Sequence, residues 1–142
     1  MSQEFNKCLE RGKIKAFSPG PSLVQKELGL AQEDLKLAQE NFEHENFRWS
    51  IVQSYYSMFH CARALLYSRE YREKSHFCLL EAIKTLFVET GQLDASFTES
   101  FKEAKELREV ADYYGDFSEI NCKKLLDKTE EFIEEAKDIL KK

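Results

Sequence analysis

Residues 46–68 read NFRWSIVQSYYSMFHCARALLYS, the most apolar stretch of the chain. Trp49, Val52, Tyr55, Tyr56, Phe59, Ala62, Leu65 and Leu66 fall at helical spacing on more than one face, which predicts a central helix covered on several sides. Within it, Ser50, Ser54, Ser57 and Cys61 recur at four, three and four residues. Such a row of small side chains lets another helix approach closely, either inside the chain or across a dimer seam.

The flanking segments repeat the helical pattern. Upstream, Leu28, Ala31, Leu35, Ala38 and Phe42 form one stripe, widened by Leu30 and Leu37, in a helix expected from Leu23 with Ser22 as its N-cap. Before it, residues 3–11 predict a short helix, and Phe17-Ser18-Pro19-Gly20-Pro21 interrupts regular structure. Downstream of a charged turn, Arg69 to Lys74, a helix is expected from Ser75 through Leu79, Leu80, Ile83, Leu86 and Phe87, closed by Gly91. Ser96-Phe97-Thr98-Glu99 matches a capping pattern for the next helix, which Gly115 ends. A last amphipathic helix runs from about Ser118 to Leu140 through Leu125, Thr129, Phe132, Ala136 and Ile139. No segment reads as a strand.

Helices of about 20 residues run about 30 Å each, a matched set. The expected fold is all-α: an antiparallel up-and-down four-helix bundle with an additional short N-terminal helix, one domain over 1–142 with its core at about 23–140.

The net charge of -5 argues against general neutralisation of duplex phosphates. Two local basic groups remain, Lys13 with Lys15, and Arg69 with Arg72 and Lys74. No apolar run approaches the roughly 20 residues of a membrane span, and MSQEFNKCLERGK lacks a signal peptide's apolar segment, so a cytoplasmic protein is expected. Cys8, Cys61, Cys78 and Cys122 form no Cys-x-x-Cys pair, and they read as reduced, mostly buried thiols.

Three separated segments, Tyr55-Tyr56-Ser57-Met58-Phe59-His60-Cys61-Ala62-Arg63-Ala64-Leu65-Leu66, Lys74-Ser75-His76 and Arg108-Glu109-Val110-Ala111-Asp112-Tyr113, resemble in order and spacing a branch of the prokaryotic HEPN superfamily. The resemblance spans roughly Leu23 to Leu140. It implies a helical bundle that dimerises, is often encoded beside a minimal nucleotidyltransferase, and carries nucleotide or RNA chemistry at the dimer cleft. Many such proteins are metal-independent endoribonucleases with an Arg followed, after four to six residues, by a His. Arg108 stands in the Arg position, but Tyr113, Tyr114 and Gly115 stand where the His is due.

An always-cationic, forked guanidinium holds phosphate, and imidazole moves protons near neutral pH. Arg108 and His76 are therefore the catalytic candidates, and Lys74, Ser75, His76, Arg108, Asp112 and Tyr113 the expected ligand pocket, if the bundle brings them together. The competing reading is a plain Arg108 to Asp112 pair, whose order on the helix limits it to at most about 0.5 kcal/mol. His60, Tyr55 and Tyr56 read as core or interface residues. Glu73-Lys74-Ser75-His76 is a lone Glu-x-x-His, short of a di-iron set, and no metal or cofactor is expected.

The leading reading is a non-catalytic or weakly catalytic HEPN-like protein that binds nucleotide or RNA as a dimer, or with a nucleotidyltransferase partner, in a toxin-antitoxin-like system. A ribonuclease using Arg108 and His76, and a purely structural interaction module, are the alternatives.

Overall fold

A computed structural model describes residues 2–113 and 118–141. Among them, the chain orders as α1 (Gln3–Glu10), β1 (Ile14–Ala16), α2 (Gly20–Glu43), α3 (Phe47–Ser68), β2 (Tyr71–Glu73), α4 (His76–Ile83) continued by a π-helical turn (Lys84–Val88), α5 (Ala95–Tyr113) and α6 (Glu119–Leu140). None of these helices is long and apolar enough to cross a membrane.

The small-residue row fixes how α3 lies on its neighbours. Ser50, Ser54, Ser57 and Cys61 are all fully buried within the chain. Ser50 Oγ donates to the Ala38 carbonyl at 2.8 Å and Ser57 Oγ to that of Ala31 at 2.6 Å, so α2 runs antiparallel to α3. Ser50 and Ser57 each place the hydroxyl on a helical carbonyl, while the buried Ser54 Oγ has no hydrogen-bond partner among the described residues. From the same row, Cys61 Sγ donates to the Phe132 carbonyl, and Cys122 Sγ of α6 donates to that of Phe47, which sets α6 parallel to α3. Phe97 of α5 stacks on Phe132, with ring centres 5.7 Å apart. Phe5, Ile51, Met58, Leu65, Phe87, Phe101 and Phe132 are fully buried, each contributing about 1.5–3 kcal/mol on transfer from water.

Several local expectations need correction. α2 begins at Gly20, and the Ser22 hydroxyl, inside the first turn, donates to the Pro19 carbonyl at 2.6 Å. Pro21 fits there because the first helical N–H groups have no intrahelical acceptor. Gly20 is required by contact, since a Cβ at this position would collide with the Tyr67 carbonyl. α5 is entered through Asp94, whose Oδ1 accepts from Ser96 N at 2.8 Å, ahead of the Ser96 to Glu99 pattern. Ser75 and Ser118 do cap α4 and α6, accepting from Cys78 N and Asn121 N.

Two strands occur where none was expected. β1 and β2 pair antiparallel with Ile14 opposite Glu73, Lys15 opposite Arg72 and Ala16 opposite Tyr71. The pairing continues into the flanks, where Lys74 N donates to the Lys13 carbonyl at 2.8 Å and Phe17 N to that of Glu70 at 2.6 Å. Three-residue strands are too short to show a two-residue alternation against their surroundings. The thiol expectation also changes: Cys8 of α1 and Cys78 of α4 form a disulfide with Cα atoms 5.7 Å apart, while Cys61 and Cys122 are free and buried.

Candidate functional site

His76 is the first residue of α4, placed there by the Ser75 cap. Its ring lies stacked on Tyr55 of α3, centres 5.8 Å apart, and tilted against Phe101 of α5 at 4.7 Å. Two turns further along α5, the Arg108 guanidinium carbon is 5.4 Å from the centres of both the Tyr55 and Tyr56 rings. Both catalytic candidates thus touch one tyrosine. That convergence joins three helices, and the carrier is Tyr55, which is 6% exposed, beside Tyr56, which is 37% exposed.

The environment sets the protonation states. Burial, and then the Lys105 ammonium, hold the His76 imidazole down at about 4, against the opposing pull of Glu109. It is therefore neutral near pH 7, and its Nε2 is buried with no hydrogen-bond partner among the described residues. Burial pushes the Tyr55 hydroxyl up to about 12, although Arg108 favours the phenolate. Lys105 Nζ donates to Glu109 Oε1 at 2.6 Å across one helical turn. The cluster combines a fixed cation, a neutral imidazole and aromatic faces, the elements of a phosphate and base contact.

The expected pocket is only partly assembled. Ser75 spends its hydroxyl on the helix cap, and Lys74 is exposed beside Lys15 rather than beside Arg108. The Asp112 and Tyr113 side chains lie outside the described residues. Glu73 is engaged by Arg63 and His76 by Tyr55, so the Glu-x-x-His pair is split between different neighbours.

A second polar cluster went unnoticed in the sequence. Arg63 of α3 grips Glu73 of β2 through two hydrogen bonds, Nη2 to Oε2 at 2.6 Å and Nε to Oε1 at 3.3 Å. Its Nη1 is 3.9 Å from Glu27 of α2, whose other oxygen lies 2.6 Å from His60 Nδ1, and His60 Nε2 is 3.8 Å from Asp34. Glu27 and Glu73 are both 7% exposed. The available signal was Glu27 itself, a charge at helical spacing between Val24 and Ala31 on the apolar stripe.

The sequence model of the HEPN domain matches residues 24–139, most of the chain and all of both clusters. The chain belongs to the HEPN domain family. Among curated relatives of this HEPN protein, "Putative toxin MJ0142" of Methanocaldococcus jannaschii is 31% identical over 90 residues, 63% of this chain and 61% of that one. "Putative toxin MJ0605" of the same organism is 28% identical over 119 residues, covering 83% and 89%. "UPF0332 protein PH1297" of Pyrococcus horikoshii is 32% identical over 74 residues, covering 52% of each. The match therefore spans about three fifths of the length of the first of these relatives and about half of the third.

Proposed function

We propose that this HEPN protein is toxin-like and binds RNA or a nucleotide at the Tyr55, Tyr56, His76 and Arg108 cluster, with little or no catalysis of its own. The observation that carries the reading is Arg108, held against two tyrosine rings with one of those rings open to solvent. A guanidinium so placed offers N–H donors to a phosphate, and Tyr56 offers a face to a base. The relatives named as toxins support the toxin-like role. A homodimer, a minimal nucleotidyltransferase partner and a cytoplasmic setting complete the proposal. In that compartment the Cys8–Cys78 disulfide would have to persist against reducing thiols.

Low catalysis follows from His76. A general base works best with a pKa near the operating pH and must reach the proton it removes. Here the imidazole is far below neutrality and Nε2 is enclosed. The convergence of His76 and Arg108 on Tyr55 favours a second reading, a metal-independent endoribonuclease. In it His76 takes the proton of a ribose 2′-hydroxyl, the 2′-oxygen bonds to phosphorus, Arg108 stabilises the added charge, and the P–O5′ bond breaks to leave a 2′,3′-cyclic phosphate and a 5′-hydroxyl that takes its proton from water.

Two assays separate these readings. Binding of labelled single-stranded RNA should weaken about tenfold or more in Arg108→Ala with the helical spectrum intact, a loss of about 1.5 kcal/mol expected for a charged hydrogen bond. Unchanged affinity would leave only a structural module. Intact RNA after incubation with the wild-type protein, alongside a competent HEPN ribonuclease that cuts it, supports the non-catalytic reading. Cleavage that disappears in His76→Gln would replace it with the second.

A further inference from the structure

The β1–β2 pairing brings together two basic groups that lie far apart in sequence. Lys15 and Arg72 are directly opposite one another on the ribbon, and Lys13 and Lys74 are joined by the next backbone hydrogen bond. All four side chains are exposed. Like charges directly opposite across strands are destabilising, so this pair carries a local cost. The strand carboxylate that might have relieved it, Glu73, points to the other face and is taken by Arg63. Among the described residues, none of the four cations forms an ion pair with a carboxylate.

The crowding is visible in Lys74. The Lys15 side chain most of all, then Lys13 and Arg72, lowers the Lys74 pKa. The Arg72 guanidinium carbon is 5.1 Å from the centre of the Phe17 ring, which holds the group in place. In a chain of net charge -5, a tight knot of four unneutralised cations on a short rigid ribbon is an anion-binding surface.

We infer that the outer face of this ribbon, Lys13, Lys15, Arg72 and Lys74, binds the phosphate backbone of a single RNA strand whose next nucleotides reach the His76 and Arg108 cluster. This rests on the RNA reading of that cluster. RNA is favoured over other polyanions because the ribbon runs straight into the cluster: Lys74 is followed by the Ser75 cap and then by His76. A strand laid on the cations is thereby guided along the β2–α4 connection. The phosphate contacts would hold and orient the strand without reading its sequence, as expected of backbone contacts.

The test is anisotropy of a fluorescent single-stranded RNA titrated with the full chain across a series of KCl concentrations. Three proteins are compared: wild type, a ribbon variant (Lys15→Ser, Arg72→Ser, Lys74→Ser) and Arg108→Ala. Each single-strand phosphate contact contributes about 0.7 to the slope of log affinity against log salt, so the ribbon variant should be shallower by about 2. Its melting temperature should equal or exceed that of wild type, because the like-charge pair is relieved. An unchanged slope with RNA still bound overturns the inference and leaves the cluster reading standing. A shallower ribbon variant together with a weakened Arg108→Ala supports the inference; a shallower ribbon variant with an unaffected Arg108→Ala overturns the cluster reading and the path along the β2–α4 connection, leaving only a phosphate contact on the ribbon. A wild-type protein that ignores RNA but binds phosphatidylserine vesicles overturns both.

Discussion

The two histidines of the bundle interior, His60 on α3 and His76 on α4, sit in opposite surroundings. His60 faces carboxylates, Glu27 at 2.6 Å and Asp34 at 3.8 Å, in a network that Arg63 extends to Glu73. His76 faces rings, Tyr55 and Phe101, with a lysine among its electrostatic neighbours. In the first region each charge has an opposite charge, and the groups lock α2, α3 and β2 together. In the second, an imidazole is kept neutral next to a cation on the same tyrosine. Matched charge accounts for the first region by structure alone; the second is the one to which the proposed phosphate contact is assigned.

The largest effect should come from the covalent tie on the His76 side. The Cys8–Cys78 bridge spans a separation of 70 residues, and loop-closure entropy puts its contribution at about 4 kcal/mol. Urea unfolding of Cys78→Ser against the oxidised protein measures it. On the His60 side, Arg63→Ala strands Glu73 in the interior, while Glu27 keeps His60, and should cost about 3 kcal/mol. The double substitution Arg63→Met with Glu73→Leu should recover much of that loss; a cycle showing no coupling would contradict a matched network.

Acid acts on the His76 side next. The His76 pKa is below its unfolded value of 6.5, so between pH 6.5 and about 4 the unfolded chain binds more protons. Its contribution is full above pH 6.5 and is lost as pH falls toward 4. Allowing for the ring's partial exposure, the loss is about 1–2 kcal/mol, and it should vanish in His76→Phe. Melting temperatures of the two proteins between pH 8 and pH 4.5 give the difference directly. Smallest of all, Arg108→Ala should cost about 1 kcal/mol of stability through its cation–π contacts with Tyr55 and Tyr56, and on the proposed function it should weaken RNA binding by more than that.

The helices were legible because their signals are local. α3 and α6 show their buried faces within single windows, and Ser75 and Ser118 stand where caps belong. What was not legible depends on distant pairing. The ribbon needs residues 14–16 to meet residues 71–73, and only that meeting merges the two basic groups and brings Cys8 to Cys78. At the site, His76 and Arg108 could be picked by chemistry. Tyr55 as their shared neighbour could not, because a tyrosine at helical spacing reads first as core, and at 6% exposure it is core as well.

The disulfide also divides the molecule mechanically. The covalent ring it closes, from Cys8 to Cys78, contains the ribbon, α2, α3 and His76, while α5 with Arg108 and Phe101 lies outside it. The cluster is thus carried on two segments, one inside the covalent ring and the other joined to it by noncovalent packing alone. The fully buried Phe101 ring meets His76 from the segment that the cross-link leaves out.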